Sequence, residues 1–342
     1  MLDLIPEVFS ARFSIIADMT LLMVGFLLGG RLTRDLLKET ASEVFWISIC
    51  AALTTAGLVS LGLIFAGVPR EVAIILGCIA SATAPAAILD VVMEHGVESK
   101  FSRLLLSIVA LDDLWSLILF GVGVSAVKTL NGASGEISFL WIATREIGGA
   151  VLLGIALGLP AAYLTGRVKK GQPVLSEALG LVFVCGGLAI WLGFSYLIAS
   201  MVMGAVIANM ARHHEYPFHA IEGIEWPFMV IFFVLAGASL DLESLAGIGL
   251  IGSLYIVCRA LGKWLGARVG SELSRTDRMT KNWMGFALLP QAGVAIGMAL
   301  VASNQFPAYQ QVLLSIVISS TVVFEIAGPV FTSLALKRTL DH

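Results

Sequence analysis

Charge is scarce in this chain: Lys, Arg, Asp and Glu make up 13% of its 342 residues, whereas 58% of the residues are hydrophobic. A typical soluble domain carries about a quarter charged residues. The composition therefore excludes a soluble globular protein. It predicts an all-α polytopic membrane protein whose partner is membrane lipid and not nucleic acid.

Cysteine is also rare, and the sequence lacks the usual cofactor motifs. The four cysteines, Cys50, Cys78, Cys185 and Cys258, all lie inside apolar runs. They are typical of small buried hydrophobic residues rather than of disulfides or metal ligands. No zinc-ligand spacing, phosphate-binding loop or dinucleotide fingerprint is present. We therefore expect neither an enzyme nor a resident cofactor.

Long apolar runs make up most of the sequence. A membrane-spanning backbone must satisfy its hydrogen bonds within the segment, which favours helices. We predict eleven spans, at about residues 12–30, 43–66, 70–92, 102–127, 142–166, 174–192, 195–211, 225–240, 246–268, 280–303 and 309–335.

The connections between these spans differ in basic charge. One alternate set holds fifteen Lys and Arg residues and the other holds four. Positive charge accumulates on the cytoplasmic side of membrane proteins. The asymmetry predicts a cytoplasmic-membrane protein with its C-terminus inside and its N-terminus outside. An outside N-terminus is unusual, and we expect either that the chain begins partway through a longer fold or that the start codon is misplaced.

Two adjacent carboxylates interrupt one apolar span. Asp112 and Asp113 are the only ionisable residues in the 24-residue run from 104 to 127. Each costs about 2.5–3.5 kcal/mol at the centre of a membrane helix, and such groups usually mark an ion site or a proton relay. A buried structural salt bridge is the alternative, although two adjacent aspartates need more than one partner.

Two other spans contain a proline among small residues, at Pro85 and Pro290. A proline inside a helix removes a hydrogen bond, and broken spans in matching positions indicate a transport site. Two ordinary proline kinks are the alternative. The spans within 43–127 and 246–335 form two triplets of opposite direction, as expected for inverted repeats. Residues expected to line the breaks are Ser81, Thr83, Pro85, Pro290, Gln291 and Gly293.

Among the other charged residues within predicted spans, three are candidate partners of the aspartates. Arg259 and Lys263 are four residues apart, which places them on one helix face, and Glu325 lies in the last span. If all three meet the aspartates, the formal charge of the cluster is −3 + 2 = −1. One monovalent cation or one proton would neutralise it. The alternative for the two basic residues is that they reach the membrane surface.

These segments together resemble the monovalent cation:proton antiporter-2 family. The similarity covers nearly the whole chain, and the motifs occur in family order. The matching segments are SATAPAAIL at 81–89, ALDDL at 110–114, SYLIASMVMGAVIAN at 195–209, FFVLAGASLDL at 232–242, RALGKWLG at 259–266, LLPQAGVAIGMA at 288–299 and FEIAGPVFTSLALK at 324–337.

The resemblance implies an elevator-like antiporter that forms a homodimer. Residues 43–127 and 246–335 would form the ion-transporting core, 12–30 and 174–240 the panel or dimerisation helices, and 142–166 a linker helix. Asp113 would bind the cation, and Asp112 would pair with Lys263. The two aspartates suggest electrogenic exchange. The family usually has thirteen helices, and the resemblance leads us to expect that the first two and a soluble regulatory domain are missing from this sequence, because the gene model is short or because the panel is reduced.

The sequence therefore predicts secondary exchange of Na+, Li+ or K+ for H+ by alternating access. Both ions would compete for Asp112 and Asp113. One alternative is a sodium-coupled symporter of an organic anion with a related fold. Another is a membrane sensor that transports nothing.

Overall fold

A computed structural model describes residues 13–31, 41–95, 99–130, 136–165, 174–211, 215–238, 242–291 and 293–340. Within these ranges the chain is almost entirely helical and contains no β-strand, which confirms the predicted fold class. The helices are α1 (Phe13–Arg31), α2 (Ala41–Phe65), α3 (Arg70–Ala80), α4 (Pro85–His95), α5 (Lys100–Leu130), α6 (Glu136–Thr165), α7 (Val174–Leu192), α8 (Tyr196–Met210), α9 (Glu215–Ala238), α10 (Leu242–Leu273), α11 (Arg278–Ala287), α12 (Gly293–Gln305) and α13 (Gln310–Leu340), with a 3-10 turn at Pro307–Tyr309.

Six regions of the described chain are helical and apolar for long enough to cross a membrane unbroken. They are Ala41–Phe65, Lys100–Lys128, Arg145–Leu164, Leu175–Leu192, Gly249–Leu273 and Pro307–Thr339. Two further predicted spans consist of half-helices, as described below. Those at 12–30 and 195–211 contain the shorter apolar helices Asp18–Leu27 and Tyr196–Met210.

The chain divides into two compact units. Unit one contains Met1–Arg34 and Asn131–Ser239, and unit two contains Asp35–Leu130 and Leu240–His342. In unit one, α8 packs closely on α1 because both helices carry glycine at the contact. A Cβ atom on Gly204 would lie 2.2 Å from the carbonyl oxygen of Phe26. The Tyr196 hydroxyl at the start of α8 donates a 2.8 Å hydrogen bond to Asp18 in α1.

Unit two has an apolar core to which α2, α4, α5, α10, α11 and α13 contribute. Representative members are Ile47, Ile88, Leu105, Met284 and Leu336, each no more than 2% exposed. Helices α2 and α10 approach closely along Gly262, Gly266 and Gly270, a pattern of small residues that is common where membrane helices pack. These helices hold the interrupted spans in place.

Both predicted proline breaks are present, and both lie in unit two. Helix α3 ends at Ala80 and α4 begins at Pro85, while α11 ends at Ala287 and α12 begins at Gly293. Proline has no N–H group and is well placed at the first position of α4. The breaks meet directly, since the Ala84 amide donates a 2.9 Å hydrogen bond to the Pro290 carbonyl. Four half-helix ends therefore converge inside the unit.

Candidate functional site

The paired aspartates lie in the middle of α5, where unit two is completely closed to solvent. The side chains of Asp112 and Asp113 are both 0% exposed. Successive residues on a helix point about 100° apart, so the two carboxylates face different neighbours. Burying an ionised carboxylate without a partner is very unfavourable. The surroundings of each aspartate therefore decide what the site can hold.

Asp112 is held by two side chains from other elements. Its Oδ2 atom accepts hydrogen bonds from the Lys263 ammonium and from the Thr83 hydroxyl. Lys263 also donates to the Ser81 carbonyl at 2.6 Å and to the Thr83 hydroxyl at 2.8 Å. These three bonds use all the ammonium protons. Asp112, Lys263 and the first break thus form one connected network across α5, α10 and the α3–α4 segment.

One oxygen of Asp112 remains available. Among the described residues, no group donates a hydrogen bond to Asp112 Oδ1, although the atom is buried. Asp113 follows on the same helix and is equally buried. A carboxylate oxygen is the type of ligand that hard cations prefer. The pair can accordingly accept a small cation or a proton.

Arg259 lies one helical turn before Lys263 and is also 0% exposed. Its guanidinium donates to carbonyls of both breaks: to Ala80 at 3.0 Å and Ala82 at 2.7 Å in the first, and to Leu289 at 2.7 Å and Pro290 at 3.4 Å in the second. The ring of Phe324 in α13 covers the guanidinium, with 4.2 Å from Cζ to the ring centroid.

A second polar group follows the second break. Gln291 donates a 3.2 Å hydrogen bond from Nε2 to the Tyr255 hydroxyl of α10. The other end of the amide, Gln291 Oε1, is buried and has no donor among the described residues.

The structure brings most of the predicted site residues together. Ser81, Thr83, Pro290 and Gln291 all belong to the network around the two breaks, while Pro85 and Gly293 begin the half-helices α4 and α12. Tyr255 and Phe324 were not predicted to take part. The spacing of Tyr255, Arg259 and Lys263 at intervals of four indicates one helix face, and this signal could have identified Tyr255.

Glu325 does not join the cluster, which corrects the expected charge. Its side chain is exposed on α13, next to exposed Val323 and Ile326. The neighbouring Phe324 faces Arg259, and a step of one residue turns Glu325 about 100° away. The formal charge of the four buried groups is therefore −2 + 2 = 0, instead of the −1 expected if Glu325 had also joined them.

One other prediction concerns residues that lie outside the described ranges. The basic connections at 32–40 and 166–173 lie outside the described residues, so the predicted orientation in the membrane remains a prediction.

Within the described ranges, no group of three or more His, Cys, Asp or Glu side chains could hold a metal ion. The cation considered below is a substrate.

Most of the chain is similar to a known family of membrane proteins. Residues 7–337 match the family described as sodium/hydrogen exchanger, transmembrane. The ammonium/H(+) antiporter subunit AmhT of Alkalihalophilus pseudofirmus is 22% identical over 302 residues, which cover 87% of this chain and 76% of that protein. The glutathione-regulated potassium-efflux system protein KefC of Salmonella paratyphi B is 24% identical over 265 residues, 74% of this chain and 42% of that protein. The chain thus matches less than half the length of KefC.

A solved structure shares the fold. The sodium proton antiporter MjNhaP1 from Methanocaldococcus jannaschii superposes with a TM-score of 0.77 over 98% of this chain and 88% of that chain, at 20% sequence identity. A second structure of the same antiporter gives a TM-score of 0.69, with 97% and 85% coverage. At this level of identity, the likeness concerns the arrangement of the helices.

Proposed function

Because this chain belongs to the sodium/hydrogen exchanger family, we propose that it exchanges a monovalent cation for protons at the buried pair Asp112 and Asp113. The observation that carries the proposal is the position of that pair. Both carboxylates are sealed from solvent beside two meeting helix breaks, and one Asp112 oxygen has no hydrogen-bond donor among the described residues. In a membrane, this combination of features is typical of an ion path.

The charges of the site explain how a cation and a proton compete. Lys263 is in direct contact with Asp112 and balances its charge. The charge of Arg259 is directed to four backbone carbonyls. The negative charge of Asp113 is then the one that a bound ion neutralises, because two neighbouring carboxylates in a low dielectric resist being ionised together. A cation and a proton neutralise it equally well, so they exclude one another.

Alternating access requires one part of the protein to move relative to another. We assign the moving, ion-transporting role to unit two, which contains every residue of the site. Unit one then provides the panel and the contact for a homodimer in the cytoplasmic membrane. Exchange is electrogenic because Asp112 takes up a second proton when the cation leaves, so that more protons than cations move in each cycle. The substrates are Na+, Li+ or K+, and the name of the relative AmhT adds ammonium to the cations that need testing.

The test is cation-driven proton movement in everted membrane vesicles. A proton gradient is built by respiration and followed with a pH-sensitive dye, and NaCl, LiCl, KCl, NH4Cl or choline chloride is added over a series of pH values. Vesicles without the protein provide the baseline, which matters for NH4Cl because free ammonia crosses membranes. The wild type should collapse the gradient with at least one cation, whereas Asp113→Asn should not.

Asp18→Asn is the matched control, since it removes a carboxylate from α1 in unit one. It should retain exchange. If Asp113→Asn exchanges ions to the same extent as the wild type, the proposed location of the ion site is wrong. If the wild-type protein is inserted and inactive with every cation, exchange itself is not its function, and the sensor hypothesis takes its place.

A further inference from the structure

We propose that Arg259 is a positioning residue that clamps the two helix breaks together, so that its charge serves the helix ends and not the transported ion. The proposal rests on the proposed exchange function for its effect on transport. Its structural part can be tested without transport. Arg259 was expected to be a charge partner of the aspartates, and the contacts that it makes point to a different role.

Every hydrogen bond that Arg259 makes within the described residues goes to a backbone carbonyl. Two acceptors, Ala80 and Ala82, belong to the first break, and Leu289 and Pro290 belong to the second. The first of these carbonyls has lost its helical partner. In a continuous helix the Ala80 carbonyl would accept from the Ala84 amide, but that amide donates to Pro290 instead.

The positive charge of Arg259 is balanced by the partial negative charges at the ends of two helices. Helices α3 and α11 both end at the crossing, and the C-terminal end of a helix carries about half a negative charge. Two such ends balance one guanidinium. The group is buried completely, and Phe324 shields one of its faces with an aromatic ring. A guanidinium that is balanced in this way does not need a carboxylate partner to be stable in the interior.

The clamp acts on the ion site through alternate residues of the first break. Arg259 holds the carbonyls of Ala80 and Ala82, while Lys263 is bound by the Ser81 carbonyl and the Thr83 hydroxyl. These four residues are consecutive, so fixing two of them fixes the other two. Arg259 thereby sets the place of Lys263 against Asp112 without touching the aspartates.

Lysine cannot replace this function, which separates the clamp from a simple charge partner. A guanidinium has five donors in a planar fork, whereas an ammonium has three donors around a single point. Arg259→Lys keeps the charge but cannot hold four carbonyls on two segments. The clamp predicts that Arg259→Lys raises the apparent KM for the cation about tenfold, as loss of a supporting contact typically does. A charge partner predicts that Arg259→Lys behaves like the wild type and that only Arg259→Gln is impaired.

The first measurement is the apparent KM of cation-dependent gradient collapse, normalised to the amount of folded protein. Arg268→Lys on the same helix is the matched control, since Arg268 is exposed and stacks on Trp264. An unchanged KM in Arg268→Lys and a raised KM in Arg259→Lys support the clamp. If Arg259→Lys lowers only the melting temperature and leaves KM unchanged, its role is merely structural and the proposal fails.

The second measurement is hydrogen–deuterium exchange of the purified protein, which does not depend on transport. Loss of the clamp should increase deuterium uptake in both breaks, at residues 81–84 and 288–291, in Arg259→Lys but not in Arg268→Lys. Unchanged uptake at either break overturns the proposal. If the wild type transports no cation, the proposed function fails. The deuterium uptake then still decides whether Arg259 joins the two breaks.

Discussion

The Ala84 amide and the Pro290 carbonyl, 206 residues apart in the chain, are joined by a 2.9 Å hydrogen bond that links the two interrupted spans. A backbone amide released by one break is thereby satisfied by a carbonyl released by the other. Irregular backbone is tolerated at membrane depth only where protein or water satisfies it. The breaks therefore stabilise each other, and the network of Lys263, Thr83 and Asp112 is built on their junction.

Removing Lys263 should destabilise the protein, because Asp112 would lose its charge partner. Breaking a buried ion pair by deleting one member typically costs about 3–5 kcal/mol. We expect Lys263→Met to lower the melting temperature of the purified protein clearly. Adding Asp112→Asn should recover part of the loss, because the second substitution removes the uncompensated charge. A double-mutant cycle at constant pH measures this coupling, and strictly additive effects of the two substitutions would contradict the pairing.

The positions of the breaks and of the buried charges could be predicted because the signals are local. A proline among small residues interrupts a helix wherever it lies in an apolar span, and a charge within such a span must be buried or functional. The pairing of Lys263 with Asp112 was implied by family resemblance and has the expected partners in the structure.

The role of Arg259 and the exposure of Glu325 could not be predicted, for two different reasons. Carboxylates and unpaired carbonyls in the same unit are both possible partners of Arg259. Only the tertiary arrangement decides which of them it binds. The exposed and buried faces of α13 are both apolar: Val323 and Ile326 are exposed, whereas Val317 is buried. A helix that is hydrophobic all round gives no sign of its rotation.

A larger residue on α10 should separate it from α2. A Cβ atom on Gly266 would lie 2.5 Å from the Cys50 carbonyl oxygen and 2.6 Å from the Ala51 Cα, and backbone atoms cannot yield easily. Gly266→Ala should therefore cost about 1–3 kcal/mol, as overpacking commonly does. Gly252→Ala on the same helix is the control, since no atom lies within 4 Å of its added Cβ. Thermal unfolding in detergent compares the two, and equal melting temperatures would show that α2 and α10 do not pack as described.

The residue that caps the start of α11 should make the stability of the protein depend on pH in the acid range. Asp277 caps this helix by accepting hydrogen bonds from the Thr280 amide at 3.0 Å and the Thr280 hydroxyl at 2.7 Å. Burial alone would raise the pKa of Asp277, but these hydrogen bonds outweigh it and hold the pKa below its ordinary value. A lowered pKa stabilises the fold above the unfolded pKa of about 3.9 and ceases to do so as pH falls through the folded value.

Asp277→Ala should consequently lower the stability by about 1 kcal/mol near neutral pH, the usual cost of losing a cap. The difference in melting temperature between the variant and the wild type should be constant between pH 5 and 7 and should shrink below about pH 4. Asp277→Asn is the control, because asparagine also caps helices and does not titrate. A difference between wild type and Asp277→Ala that grows on acidification would contradict the assignment of the cap.

Substitution of Glu325 should leave the affinity for the cation nearly unchanged. Its side chain is exposed on α13 and does not belong to the buried network. We expect Glu325→Gln to keep the apparent KM for the cation within about twofold of the wild type, in line with the small effects of most exposed substitutions. Asp113→Asn, tested in the same vesicles, should abolish exchange.

The comparison is made by titrating the active cation at two pH values. Substituting a carboxylate that takes part in ion binding would change both the KM and its dependence on pH. If Glu325→Gln removes exchange as completely as Asp113→Asn does, then Glu325 belongs to the ion path and the charge of the site must be counted again with it.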